Sequence, residues 1–269
     1  MASSSAEGLL RDGYPDEALN QLQQAVRKNP ADPKLRTFLF QLLSVQGEWE
    51  RALTQLQVVA ELDASTLAMV QTYREAIRCE MLRTRVFSGR STPLAFGEPK
   101  QWFASLIEAL RLEAEGHPSE SAELRDKAFA EAPASAGILD GQAFSWIADA
   151  DTRLGPVLEA ILNGRYYWIP LECLRRVEIE QPSDLRDVVW MPARVEFTNG
   201  GESVALIPSR YPGSHAKSDP SLRLSRRTEW VDAGAGAYIG LGQRILATDA
   251  GEYPLLDIRE IVFSGSEST

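Results

Sequence analysis

Along the first half of the chain, apolar residues recur at three- and four-residue spacings. Along the second half they alternate with polar residues or come in short bursts. The first pattern predicts amphipathic helices and the second predicts short strands. Helices are expected at about 3–12, 15–28, 34–46, 49–62, 66–87, 100–114 and 119–132. The longest carries Leu67, Val70, Tyr73, Ile77 and Met81 on its apolar side. Ser88 to Pro99 reads as a loop, Gly116 and Pro118 separate the last two helices, and Pro133 ends them.

The helical half contains a repeat. Leu9, Gly13, Ala18, Leu19 and Leu22 recur 34 residues later as Leu43, Gly47, Ala52, Leu53 and Leu56, which is the tetratricopeptide period. The glycine turns the chain between two helices, the alanine lets them approach, and the leucines fill the seam. Asn29-Pro30 and Pro33 end one helix and open the next. One such hairpin cannot bury its apolar face by itself, so the pattern predicts stacking. The pair at 100–132 looks like a degenerate third hairpin, out of phase with the first two.

Between the halves lies Trp146 to Leu171. Leu154, Val157, Leu158, Ile161 and Leu162 fall at i, i+3, i+4, i+7 and i+8, which predicts a short helix. Asp151 or Thr152 would cap it, Pro156 would sit in its first turn, and Gly164 would follow its end. Tyr166, Tyr167, Trp168 and Ile169 then carry strand chemistry. Next come Leu174 to Glu180, a break at Pro182-Ser183-Asp184, and a strand from Val188 to Phe197. Its Ala193, Val195 and Phe197 share one face, and Pro192 marks an edge or a bulge. Asn199-Gly200-Gly201 predicts a hairpin with Ser203 to Ile207 as the return strand. A polar loop, Pro208 to Pro220, precedes the apolar points Leu222, Leu224, Trp230 and Val231. Tyr238 to Ala247 and Leu255 to Phe263 read as closing strands, and Gly265 to Thr269 as a disordered tail. The predicted class is α+β. A tetratricopeptide-like helical domain occupies 1–136. A small α+β domain with a bent antiparallel sheet or barrel occupies 137–269.

The composition is globular, with 25% charged and 44% hydrophobic residues, but the net charge is −10. That argues against a nucleic-acid partner or an acidic membrane surface, since both call for a basic stripe. No apolar run is long enough to span a bilayer. The start, MASSSAEGLL, lacks the marks of a signal peptide, so the cytoplasm is expected. Two cysteines, Cys79 and Cys173, form neither a disulfide framework nor a zinc spacing and are expected in the core. His117, in a helix-joining turn, and His215, in the polar loop, are expected to be solvated.

Candidate chemistry is sparse. Asp149-Ala150-Asp151 resembles a carboxylate pair that could share a cation, and with Arg153 it would support a metal-dependent transferase or hydrolase. The plainer reading is a cap with an ion pair between Asp151 and Arg153. Gly234, Gly236, Gly240 and Gly242 suggest turns and bulges, because only 27 residues follow them and no dinucleotide fold fits in that length. There is no nucleophile elbow, phosphate loop or zinc-protease motif, and neither cofactor nor metal is expected. The second half does hold Trp146, Tyr166, Tyr167, Trp168, Trp190, Tyr211 and Trp230, with twelve arginines against the single Lys217. Arginine with tryptophan and tyrosine is the composition of binding hot spots. A partner-binding surface is therefore expected at Tyr166, Trp168, Trp190, Arg210, Arg226 and Trp230. The alternative is the groove of the repeats near Phe38 and Leu42. The competing reading is that the rings fill a small core and the arginines pair with nearby carboxylates.

In order along the chain, the repeats are followed by DADTRLGPVLEAILNGRYYWIPL, PSDLRDVVWMPARV, NGG, LIPSRYPGS, LRLSRRTEW, GLGQR and LLDIREIVF. This succession resembles the ImpE/TagJ family of accessory proteins of bacterial type VI secretion. The resemblance implies a non-enzymatic cytoplasmic protein that binds the N-terminal segment of the small contractile-sheath subunit, TssB. Through TssB it would be linked to the sheath-disassembling ATPase ClpV. It does not say which residues touch the partner. An assembly chaperone with another client is the remaining alternative.

Overall fold

The structure, a computed structural model, describes residues 2–264. Seven helices come first: α1 (Ala2–Arg11), α2 (Pro15–Lys28), α3 (Pro33–Val45), α4 (Trp49–Leu62), α5 (Leu67–Phe87), α6 (Gln101–Ala114) and α7 (Pro118–Glu131). Each lies within one residue of its expected span. Their ends follow local chemistry. Proline opens α2, α3 and α7, where its missing N–H costs nothing. The Asp32 carboxylate accepts from the N–H groups of Lys34 and Leu35 to cap α3.

The repeat is visible in hydrogen bonds. Tyr14 N–H reaches back to Leu9 C=O, and Glu48 N–H reaches back to Leu43 C=O in the same way. Gly13 and Gly47 hold the left-handed conformation that these closures require, at φ +89° and +72°. Ala18, Leu22, Ala52 and Leu56 are buried in the shared seam. The α6–α7 hairpin turns through Gly116 with the same bond, from His117 N–H to Leu112 C=O.

The strands are β1 (Leu94–Ala95), β2 (Gly137–Leu139), β3 (Gln142–Phe144), β4 (Ile147–Asp149), β5 (Val157–Leu162), β6 (Arg165–Pro170), β7 (Leu174–Ile179), β8 (Trp190–Phe197), β9 (Glu202–Pro208), β10 (Thr228–Gly234), β11 (Ala237–Gly242), β12 (Ile245–Thr248), β13 (Gly251–Pro254) and β14 (Glu260–Phe263). Nine form one bent sheet in the order β1-β6-β5-β9-β8-β7-β14-β2-β3, and β13-β12-β4 form a second sheet. Together they enclose an apolar core that includes Leu158, Leu162, Val177, Met191, Val195, Ile207, Leu246 and Ile261. β10 and β11 make a separate two-stranded ribbon. A second core joins the helices to the other side of the sheet.

Three expectations are corrected. The helix expected around Leu154–Leu162 is strand β5, paired with β6 through a two-residue turn. Asn163 and Gly164 both have positive φ, +48° and +73°. Asn-Gly between apolar runs is a strong hairpin signal, and it outweighs the helical spacing. β5 is buried at all six positions, so its apolar residues have no need to alternate. The loop from Ser88 to Pro99 contains β1, which pairs in parallel with β6 and so brings the helical half into the sheet. Pro192 is not on an edge, since β8 lies between β7 and β9. It lies just past the last β7 pair, Ile179 with Ala193, so its missing N–H interrupts no ladder. The tail expected at Gly265 to Thr269 lies outside the described residues. Among the described residues, no helix is long and apolar enough to cross a membrane.

Candidate functional site

Most of the residues singled out by sequence meet where the helices join the sheet. β5 aims Glu159 towards α5, and the carboxylate is fully buried. Arg83 of α5 grips it with Nε and Nη2 at 2.7 and 2.8 Å. Arg244, also fully buried, donates to both Glu159 and Asp149. The Tyr166 hydroxyl donates to Glu159 and accepts from Trp168 Nε1 at 2.7 Å. Burial would push the Glu159 carboxyl up, but the two guanidiniums outweigh it and hold it at about 2. Burial lifts Asp149 to about 6, because Arg244 is shared and Asp151 lies close by. Tyr211 also donates to Asp149, at 3.0 Å.

A second set of arginines reaches from the loop after β9 to the turns of the repeats. Arg210 donates to the carbonyls of Ser44 and Val45 at the end of α3, at 2.8 and 2.7 Å. Arg226 donates to Leu10 and Arg11 at the end of α1, at 2.6 and 3.1 Å. Leu10 and Ser44 are 34 residues apart, as are Arg11 and Val45, so the two arginines do the same work on successive repeats. A cation at a helix C-terminus satisfies orphan carbonyls and opposes the negative end of the dipole. Arg223, in the short helix α8 (Pro220–Arg223), completes the grip on Asp16 and Gln46. Gly47 leaves room for the loop that carries these arginines, since a Cβ there would strike the His215 ring, whereas one on Gly13 would only touch Arg226 at an ordinary 3.6 Å.

The expected binding surface is therefore corrected. Tyr166, Trp168, Trp190 and Arg210 are all closed off from solvent. Trp190 packs on Trp49 and Tyr73 and donates to Glu80 at 3.2 Å. These residues bind the two halves of the chain to each other and do not form an exposed anchor patch. Arg226 and Trp230 do face solvent, with Trp230 lying against Tyr211. In the alternative groove, Leu42 is fully buried and Phe38 is half-buried against the helical core. His215 is not simply solvated. It packs edge-on against Trp49, and burial with Arg210 and Arg83 nearby lowers it to about 4. His117 is exposed, Cys79 is buried and Cys173 is half-buried.

The carboxylate pair at Asp149 and Asp151 is already engaged. Arg153 binds both oxygens of Asp151, at 2.9 and 2.5 Å, and Gly240 N–H adds a third bond. A cation there would have to displace arginines from buried carboxylates. Among the described residues, no three His, Cys, Asp or Glu side chains gather to hold a metal. Gly234 to Gly236 turn the β10–β11 ribbon, with a bulge between Asp232 and Gly234. Sequence reading missed Arg83, Glu159 and Arg244. The available signal was one glutamate inside the apolar run VLEAIL, a position that a buried cation has to answer.

The family model described as ImpE protein matches residues 141–262, and a tetratricopeptide-repeat model matches 9–76. The type VI secretion system accessory component TagJ of Pseudomonas aeruginosa is 53% identical over 263 residues, covering 98% of this chain and 92% of that one. The crystal structure of protein VPA1032 from Vibrio parahaemolyticus superposes with a TM-score of 0.89 at 22% identity, over 98% of each chain, and so shares the fold.

Proposed function

This chain belongs to the ImpE family of type VI secretion accessory proteins, and from that premise we propose that it is a non-enzymatic adaptor of such a system. Its client is the N-terminal helical segment of the small contractile-sheath subunit TssB, and through TssB it serves sheath turnover by the ATPase ClpV. It works in the cytoplasm, with 1–136 as a helical domain and 137–269 as a sheet domain. The observation that carries this reading is the near-full-length similarity to a secretion accessory component. Stacked helical hairpins, which offer a helix-binding surface, support it. So does the engagement of Asp149 and Asp151 by arginines, which leaves the metal-enzyme reading without free carboxylates. The test is titration of the synthetic TssB N-terminal segment into the full-length chain, followed by calorimetry. Saturable one-to-one binding is expected. If the segment does not bind at tens of micromolar, about −6 to −7 kcal/mol, the adaptor reading fails.

A further inference from the structure

The 34-residue register continues into α5, but the third hairpin is never completed. α5 begins at Leu67, 34 residues after α3 begins at Pro33. Gly13 and Gly47 fall in register with Met81. At Met81 there is no turn, because α5 runs through to Phe87 and closes only at Gly89, where Arg90 N–H bonds to Arg85 C=O. α2 lies back along α1 and α4 along α3, but α6 touches α5 only sparsely.

Burial records the difference. Ala6 and Leu10 in α1, and Phe40 and Ser44 in α3, are buried. The α5 residues in register with them are Arg74, half-buried, and Arg78, exposed. Spacings of seven, four, three and four residues keep Leu67, Arg74, Arg78, Met81 and Arg85 on one side of the helix. Leu67 is 55% exposed and Met81 42%. Arg74 and Arg85 make no ion pair among the described residues, and Arg78 pairs with Glu75 one turn away at 2.8 Å. A recess of about 350 Å³ lies on the neighbouring side of α5, lined by Gln71, Thr72 and Glu75 of the helix and by Val204 of β9, and none of the stripe residues lines it. A terminal repeat ordinarily carries a polar outer face for solubility. Leu67 ahead of the arginines and Met81 among them are two large apolar side chains exposed on this face, which a purely polar cap would not carry.

We propose that this stripe seats an acidic amphipathic helix of a partner, which completes the third hairpin from outside. The missing second helix sets its size, since α2 and α4 are each 14 residues long. Its apolar side meets Leu67 and Met81, and its carboxylates meet Arg74, Arg78 and Arg85. The proposal deepens the adaptor reading and rests on it only for the partner's identity.

The test uses the full-length chain, wild type and Arg74→Glu/Arg78→Glu, with two fluorescent probes. One is the TssB N-terminal segment and the other is a designed 14-residue helix with a leucine strip flanked by glutamates. Arg78 is exposed and Arg74 half-buried, so an unchanged melting temperature is the folding control. The expected result is that the double variant binds the TssB segment about ten-fold or more weakly, and that added salt weakens wild-type binding. Equal binding of the TssB segment by variant and wild type would overturn the α5 site and leave the adaptor reading intact. Wild-type binding of the designed helix only, lost in the variant, supports the site and removes TssB as its occupant. Binding of neither probe overturns both.

Discussion

Strand β5 faces two cores, and they are unlike. Leu158, Ala160 and Leu162 join the apolar cluster enclosed by the two sheets. Val157, Glu159 and Ile161 enter the joint with the helices, where Glu159 gathers Arg83, Arg244 and Tyr166. The first core is held by apolar area, which is non-directional and tolerates exchange of one aliphatic shape for another. The second spends much of its attraction on desolvating charge, and what it secures is one geometry between two halves of the chain. The strand that lines the apolar core with one side therefore also sets, with the other, where the repeats sit on the sheet.

The largest expected effect separates the two sides of this strand. Glu159→Gln leaves two buried guanidiniums short of a carboxylate and should lower unfolding free energy by about 3–5 kcal/mol. Ile207→Val, on the apolar side, should cost about 0.5–1.5 kcal/mol. Denaturant titration of both variants measures the gap. If Glu159→Gln costs no more than Ile207→Val, the charged joint contributes no more than ordinary packing.

A smaller comparison lies within the joint. Arg210 and Arg226 cap equivalent helix ends, but the first is buried and the second exposed. Arg210→Ala should cost about 1.5–3 kcal/mol, because buried carbonyls lose a charged donor. Arg226→Ala should cost about 1 kcal/mol or less, since water replaces the donor. Equal losses in a thermal or denaturant assay would mean that repeat position, not burial, sets the strength of the clamp.

The smallest effect is in pH. The folded value of His215, about 4, lies below its ordinary 6.5, so the folded state resists its protonation. Its contribution is complete above pH 6.5 and is lost as pH falls from there towards 4. His215→Gln should therefore flatten the decline of stability in that window relative to wild type. Glu159 acts lower, with its contribution lost as pH falls from 4.5 towards about 2. Asp149, raised to about 6, acts in the opposite sense, which is why the readout is the difference between variant and wild type. Parallel curves between pH 6.5 and 4 would show that His215 titrates as a free imidazole despite its place against Trp49.

Local rules made the helical half legible. A 34-residue offset, glycines past helix ends and prolines at helix starts act within one turn of chain, so the sequence determined α1 to α7 almost residue by residue. The strand after Pro182 and the Asn199-Gly200 hairpin were readable for the same reason. Partners distant in sequence were not readable. VLEAIL has the spacing of a helix face and the composition of a buried strand, and only its neighbours β6 and β9 make it a strand. Arginine and tryptophan make up binding hot spots, and they also make up a buried joint between two halves of one chain. Composition cannot distinguish these, because the distinction is whether Trp168 and Trp190 meet solvent or the helices α4, α5 and α6. The tertiary structure decided that by bringing Glu159 within reach of Arg83, 76 residues away, where burial makes every unpaired charge costly.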